Sequence, residues 1–248
     1  MRQGMKAPHL SPATKDLALV CCFAPLYTLF SFWPLAPIIG VVGKSITMAA
    51  VMAPLVGVLL GPYLGAFTAS LGGIVGASLA QGGAFNPISF LPGTAAAFCA
   101  GLLYNQKEKG CVLLYAVFLV ALIFYPPIGP IWLYPYFAWF QFAGLFILVS
   151  PLRSRAIDFA KNQQRTTRLI LGISVICFIA TMFAHVVGCL VFEITGWPLV
   201  FPQLDFWQST WRVLTVVYPV ERIVITALAT LIGVPLIKTF QAIRFKPK

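Results

Sequence analysis

Leu169-Ile170-Leu171-Gly172-Ile173-Ser174-Val175-Ile176-Cys177-Phe178-Ile179-Ala180-Thr181-Met182-Phe183-Ala184-His185-Val186-Val187-Gly188-Cys189-Leu190-Val191-Phe192 decides the fold class. The run is longer than the roughly 20 apolar residues a helix needs to cross a bilayer, and His185 is its only basic or acidic side chain apart from the two thiols. Immediately before it stand Arg153, Arg155, Lys161, Arg165 and Arg168. An uninterrupted apolar run bounded on one side by such a basic cluster has the character of a transmembrane helix with a cytoplasmic flank.

Working outward, further apolar runs cover about 17–34, 46–60, 63–80, 91–104, 111–125, 134–150 and 217–238. The run at 169–192 makes eight, of which the first, seventh and eighth are clear and the middle five are short. The sequence therefore predicts an all-α, polytopic membrane helix bundle with six to eight transmembrane helices in a single membrane domain over 1–248. Residues 1–15 and 239–248 are read as cytoplasmic ends. Composition agrees: of 248 residues 60% are hydrophobic and only 9% charged, with a mean hydropathy of +0.91. Soluble domains carry about 25% charged residues, and a fold of this size has no interior large enough for so much apolar surface.

The net charge of +11 raises the possibility of nucleic-acid binding, and its distribution argues against it. Arg2, Lys6 and Lys15, then Lys107 and Lys109, then the five residues before Leu169, then Lys238, Arg244, Lys246 and Lys248 hold fourteen of the seventeen basic residues. In an eight-span arrangement all four clusters fall on one side, which places both termini in the cytoplasm and the basic face against lipid headgroups. The first apolar run starts only at Leu17 and leads into Pro-rich sequence, so a cleavable signal peptide is not expected. The opposite loops are Pro-rich and aromatic, from Trp33 to Pro37, Gln81 to Pro87, Pro126 to Trp132 and Glu193 to Trp211. Loops of that apolarity are expected to fold back over the mouth of the bundle, with their tryptophans at headgroup level.

Six cysteines occur, with no C-x-x-C pair, and nothing in the chain has the spacing of a metal site or a nucleotide-binding loop. The cysteines are read as small apolar packing residues. Ionisable groups at membrane depth are costly, which makes His185 and Glu221 candidates for ligand contact. With Asn86, Trp132, Tyr136 and Gln141 they complete a predicted small, partly apolar pocket in the outer half. Glu221 and Arg222 are adjacent and point about 100° apart on a helix, so their pairing with each other is not required. Small residues recur every fourth position at Gly57, Gly61, Gly65, Ala69, Gly73 and Ala77, the spacing that lets membrane helices approach closely. Pro62 interrupts this ladder, so Gly61-Pro62 is read as a tight cytoplasmic turn between two short helices. Ser78 and His185 raise the alternative of an intramembrane serine protease, against which a rhomboid-type serine is followed by Gly, whereas Leu79 stands here.

Three stretches resemble the substrate-binding S component of energy-coupling factor (ECF) transporters. Gly57 to Gly65, with Gly61-Pro62 at its centre, is similar to that family's "GPxxG" turn between its second and third helices. Gly72-Gly73-Ile74-Val75-Gly76 is similar to its Gly-rich third helix, and Pro219-Val220-Glu221 with Gly233-Val234-Pro235-Leu236 resembles its last helix. The resemblance implies a non-enzymatic subunit that captures a vitamin or similar micronutrient from outside. It binds no cofactor of its own, since ATP is used by two partner ATPases acting through a transmembrane coupling subunit. The family pocket involves the loops after the first, third and fifth helices, here 35–45, 81–90 and 126–133. Small residues of the first helix contact the coupling subunit, which points to Ala18 and Cys22, with Gly61 and Gly65 as further contacts. The family core has six helices, fewer than the eight runs found here. The alternative expectation is a stand-alone secondary transporter or channel.

Overall fold

A computed structural model describes residues 12–79, 88–126, 128–162, 165–198 and 200–244. Each apolar run is met by a helix. In chain order these are α1 (Pro12–Phe30), α2 (Ala49–Leu60), α3 (Pro62–Leu79), α4 (Leu91–Tyr104), α5 (Glu108–Ile123), a short α6 (Pro130–Leu133), α7 (Trp139–Val149), α8 (Pro151–Lys161), α9 (Thr166–Gly196) and α10 (Leu204–Arg244). A 3-10 turn, Pro135–Ala138, leads into α7. Between α1 and α2 the chain makes an antiparallel hairpin of β1 (Pro34–Pro37) and β2 (Ser45–Thr47), with Pro34 opposite Thr47 and Pro37 opposite Ser45.

Length separates these helices into two kinds. Thr166–Gly196 has 31 residues at a hydropathy of 2.5 and Leu204–Phe240 has 37 at 2.0, so both are long and apolar enough to cross a membrane. A third span is present if Pro135–Val149 and Pro151–Lys161, bent by 65°, count as one. By contrast α2 and α4 have 12 and 14 residues. At about 1.5 Å per residue they reach roughly 18–21 Å, short of the ~30 Å hydrocarbon core. Nine of the residues of α2, from Ala49 to Val58, are buried, so its apolarity serves the protein interior. The same is true of α9, whose apolar window is 78% buried, against 39% for α10. The outer surface of α1, α3, α5, α7 and α10 carries Leu29, Phe67, Val117, Phe146 and Val220, all exposed. A row of faces this apolar is poorly solvated by water.

The Gly-Pro reading of the α2–α3 junction holds as a turn. Gly61 alone separates the two helices, at φ +83°, a conformation that favours glycine. Pro62 then opens α3 at the position where its missing N–H costs nothing. The ladder flanking the turn is a packing device. A Cβ on Gly65 would lie 2.8 Å from Gly57 Cα, and one on Gly57 would collide with the Ala97 carbonyl. The short helices thus meet α4 and each other backbone to backbone.

Three segments depart from the sequence reading. The Glu193–Trp211 loop is mostly helix, leaving only 197–203 between α9 and α10. Trp207 and Trp211 are fully buried in the protein, because they pack with Phe137, Phe192 and Phe201 in one aromatic cluster. The basic stretch before α9 contains helix α8. Pro151 ends the hydrogen-bond ladder of α7, Ser150 caps α8 by accepting from Leu152 N at 3.3 Å, and Ala156 and Ala160 lie against α9 at Gly172. Finally, the segments read as tails are partly helical, since α1 begins at Pro12 and α10 continues to Arg244.

Candidate functional site

Spacing of four residues builds the site from the two longest helices. Thr181, His185 and Cys189 lie on one face of α9, and Leu214, Tyr218 and Arg222 on one face of α10. These faces, with Tyr27 of α1, Gly73 and Gly76 of α3 and Pro92, Gly93 and Ala96 of α4, border a cavity of about 490 Å³. The hairpin closes one side of it through Pro34, Lys44, Ser45 and Thr47. The loop after α1 therefore folds over the bundle as the apolar composition implied.

A column of contacts runs along one wall. Gln141 sits beside two carbonyls, Phe137 O at 2.9 Å and Ala138 O at 3.3 Å, which accept and cannot donate. Its amide nitrogen therefore faces them, and its oxygen accepts from His185 Nε2 at 3.1 Å. This assigns the imidazole proton to Nε2 and leaves Nδ1 as an acceptor, with Cys189 Sγ at 3.8 Å. Tyr115 holds the start of α7 from the other side, its hydroxyl donating to Gln141 O at 2.8 Å. The His185 ring meets Tyr218 edge to face at 4.9 Å, and the Arg222 guanidinium lies 5.3 Å from the Tyr218 ring centre. Arg222 in turn is paired with Glu221 at 3.1 Å. That approach is a charge contact without hydrogen-bond alignment, since Glu221 Oε1 has no hydrogen-bond partner. Glu221 and Arg222 therefore do pair, because both side chains are long enough to turn back toward each other despite the 100° between them.

Three of the sequence candidates are thus brought together: Gln141 and His185 by direct contact, Glu221 through Arg222 and Tyr218. Trp132 and Tyr136 are not. They are 55% and 69% exposed and pack against Phe124 and Tyr134 outside the cavity. Asn86 lies outside the described residues. Of the three loops implied by family likeness, 35–45 lines the cavity, 81–90 does so through Ser89 and Phe90, and 126–133 contributes no described residue. Ala18 and Cys22 lie on an exposed face of α1, whereas Gly65 is turned inward against α2 and offers no partner surface; Gly61 is partly exposed at the turn. Ser78 donates to Ile74 O at 2.9 Å on an exposed part of α3, and His185 Nε2 is engaged by Gln141, so the two are not brought into contact.

The chain matches no family model, no curated protein and no solved structure.

The site therefore rests on its own geometry. Among the described residues no group of three or more His, Cys, Asp or Glu side chains is placed to hold a metal ion. What the sequence reading passed over is Arg222, Tyr218 and Thr181, all lining the cavity. The signal was the repeat of four that carries Thr181 to His185 and Tyr218 to Arg222. Gln141→Leu tests the column: it leaves the His185 N–H without its acceptor in a buried position, at a cost of about 1–3 kcal/mol. A lower melting temperature of the purified protein is the expected result, and an unchanged one removes Gln141 from the column.

Proposed function

We propose that the chain is a multi-pass cell-membrane protein, both ends cytoplasmic, that captures a vitamin-like micronutrient in this cavity for an ECF-type importer. The observation that carries the reading is the cavity itself. It is bordered by six helices and a hairpin, and its size falls within the roughly 300–1,000 Å³ of small-molecule sites. Its lining is largely apolar with a few fixed polar groups, the usual character of a site that recognises one compound. The exposed apolar faces of α1, α3, α5, α7 and α10 supply the surface that lipid would cover, and the four basic clusters supply the orientation. In this reading α2 and α4 are short because protein, not lipid, surrounds them.

The pattern Ala18-x-x-x-Cys22, exposed on α1, is the surface assigned to the transmembrane coupling subunit, with the two ATPases beyond it. The test is purification from native membranes followed by mass spectrometry of whatever small molecule and proteins accompany the chain. A stoichiometric nutrient together with a coupling subunit and ATPases is the expected result. Uptake by the chain alone in proteoliposomes, driven by an ion gradient, would overturn it in favour of a secondary transporter.

A further inference from the structure

The charged side chains lining the cavity are Lys44 and Arg222, and no Asp or Glu lines it among the described residues. Glu221 offsets part of the Arg222 charge, so the surroundings favour one negative charge on a ligand over two. A cation would meet like charge there.

Three cavity-lining residues carry a buried donor with no hydrogen-bond partner among the described residues: Ser89 through its hydroxyl, Thr181 and Arg222. Arg222 is 7% exposed and its Nε is unpaired; Thr181 is 3% exposed and its hydroxyl is unpaired. Thr181 differs from most helical threonines of this fold. Thr28, Thr68, Thr195, Thr226 and Thr230 each donate to the carbonyl four residues back, at 2.6–3.0 Å. The Thr181 hydroxyl does not make that bond, and in a buried position beside the cavity an acceptor on a ligand would satisfy it. A guanidinium N–H and a hydroxyl together suit a carboxylate, which accepts from both. The opposite requirement is apolar, from the rings of Tyr27, Phe90 and Tyr218.

We infer that the captured molecule is ring-bodied and carries a single carboxylate, bound by Arg222 and Thr181 with its ring among these aromatic side chains. The inference rests on the capture reading and adds the chemical class.

The experiment titrates the purified full chain by calorimetry with benzoate, 2-naphthoate and indole-3-acetate, each beside its amide and its matching primary amine. The acids are expected to bind best, with amide and amine weaker by at least about tenfold, or 1.4 kcal/mol. Arg222→Gln should erase that preference and Arg222→Lys should keep it. Thr181→Val should weaken the acids severalfold and leave the amines unchanged. The comparison within the unaltered protein decides the matter even if a variant does not fold. Equal or tighter binding of an amide or amine overturns the carboxylate assignment and leaves capture standing. Failure of every compound overturns the inference, and a co-purified nutrient then tells whether capture stands.

Discussion

Gly57→Val will cost the protein about 3 kcal/mol or more and lower its melting temperature by roughly 10 °C. The reason is the identity of the atom a side chain would meet. A Cβ at Gly57 collides with the carbonyl oxygen of Ala97, backbone that cannot swing aside as a side chain can. One turn along the same face of α4, the Gly101 position is closed by the backbone of Pro62, and α9 packs against α4 as well, with Pro92 Cγ 3.6 Å from a Cβ placed on Gly188. Separating α2 from α4 also opens contacts around Val56, Ala97 and Ala100, which are fully buried. Gly110→Ala is the control, since its Cβ meets only Leu102 Cδ1 at 3.8 Å, ordinary contact distance. It should melt within a degree or two of the unaltered chain, because surface changes of this kind stay within about 0.5 kcal/mol. Fluorescence-detected size exclusion after a temperature series reads both. Equal melting of the two variants would mean that α2 and α4 are not in backbone contact.

The same contact shows what was legible in the sequence. A glycine every fourth residue announces close approach, and Gly61-Pro62 announces a turn, because both follow from local sterics. Which helix receives the approach is a long-range fact: nothing near Gly57 names Ala97. The helices themselves were legible from apolar runs, but apolarity alone does not distinguish lipid from protein as the covering. Thus α2 and α4 read as spans and are too short to be spans unaided. Trp207 and Trp211 failed for the converse reason. Their spacing of four was a buried helical face, while their amphipathic rings suggested an interface. At the site, His185 and Glu221 were found because ionisable groups are rare in apolar sequence. Arg222 is masked in the sequence by the acid beside it, although the repeat of four from Tyr218 marks Arg222 as facing the cavity. Thr181 shares its repeat of four with His185, but that its hydroxyl fails to bond four residues back shows only in three dimensions.

The Glu221–Arg222 pair should give the other large effect. Both side chains are 8% exposed and 3.1 Å apart. Glu221→Leu leaves the guanidinium buried beside Tyr218 with its main counter-charge gone. Removing one member of such a pair costs about 3–5 kcal/mol, because the remaining charge loses its solvent and its partner together. Arg222→Met on its own strands the carboxylate instead, which can shed its charge by taking a proton, so its cost is smaller. The double variant Glu221→Leu, Arg222→Met removes both charges at similar volume and should recover most of the stability, since a buried pair is often no better than well-packed apolar side chains. A thermodynamic cycle over the four proteins, measured by reversible denaturation in detergent, reads the coupling directly. Simple additivity of the single effects would show that the pair is not coupled. The double variant also separates folding from capture. If the pair is kept for stability alone, restoring stability restores ligand binding. If Arg222 holds the ligand, the double variant folds and melts like the unaltered chain and still fails to distinguish 2-naphthoate from its amide.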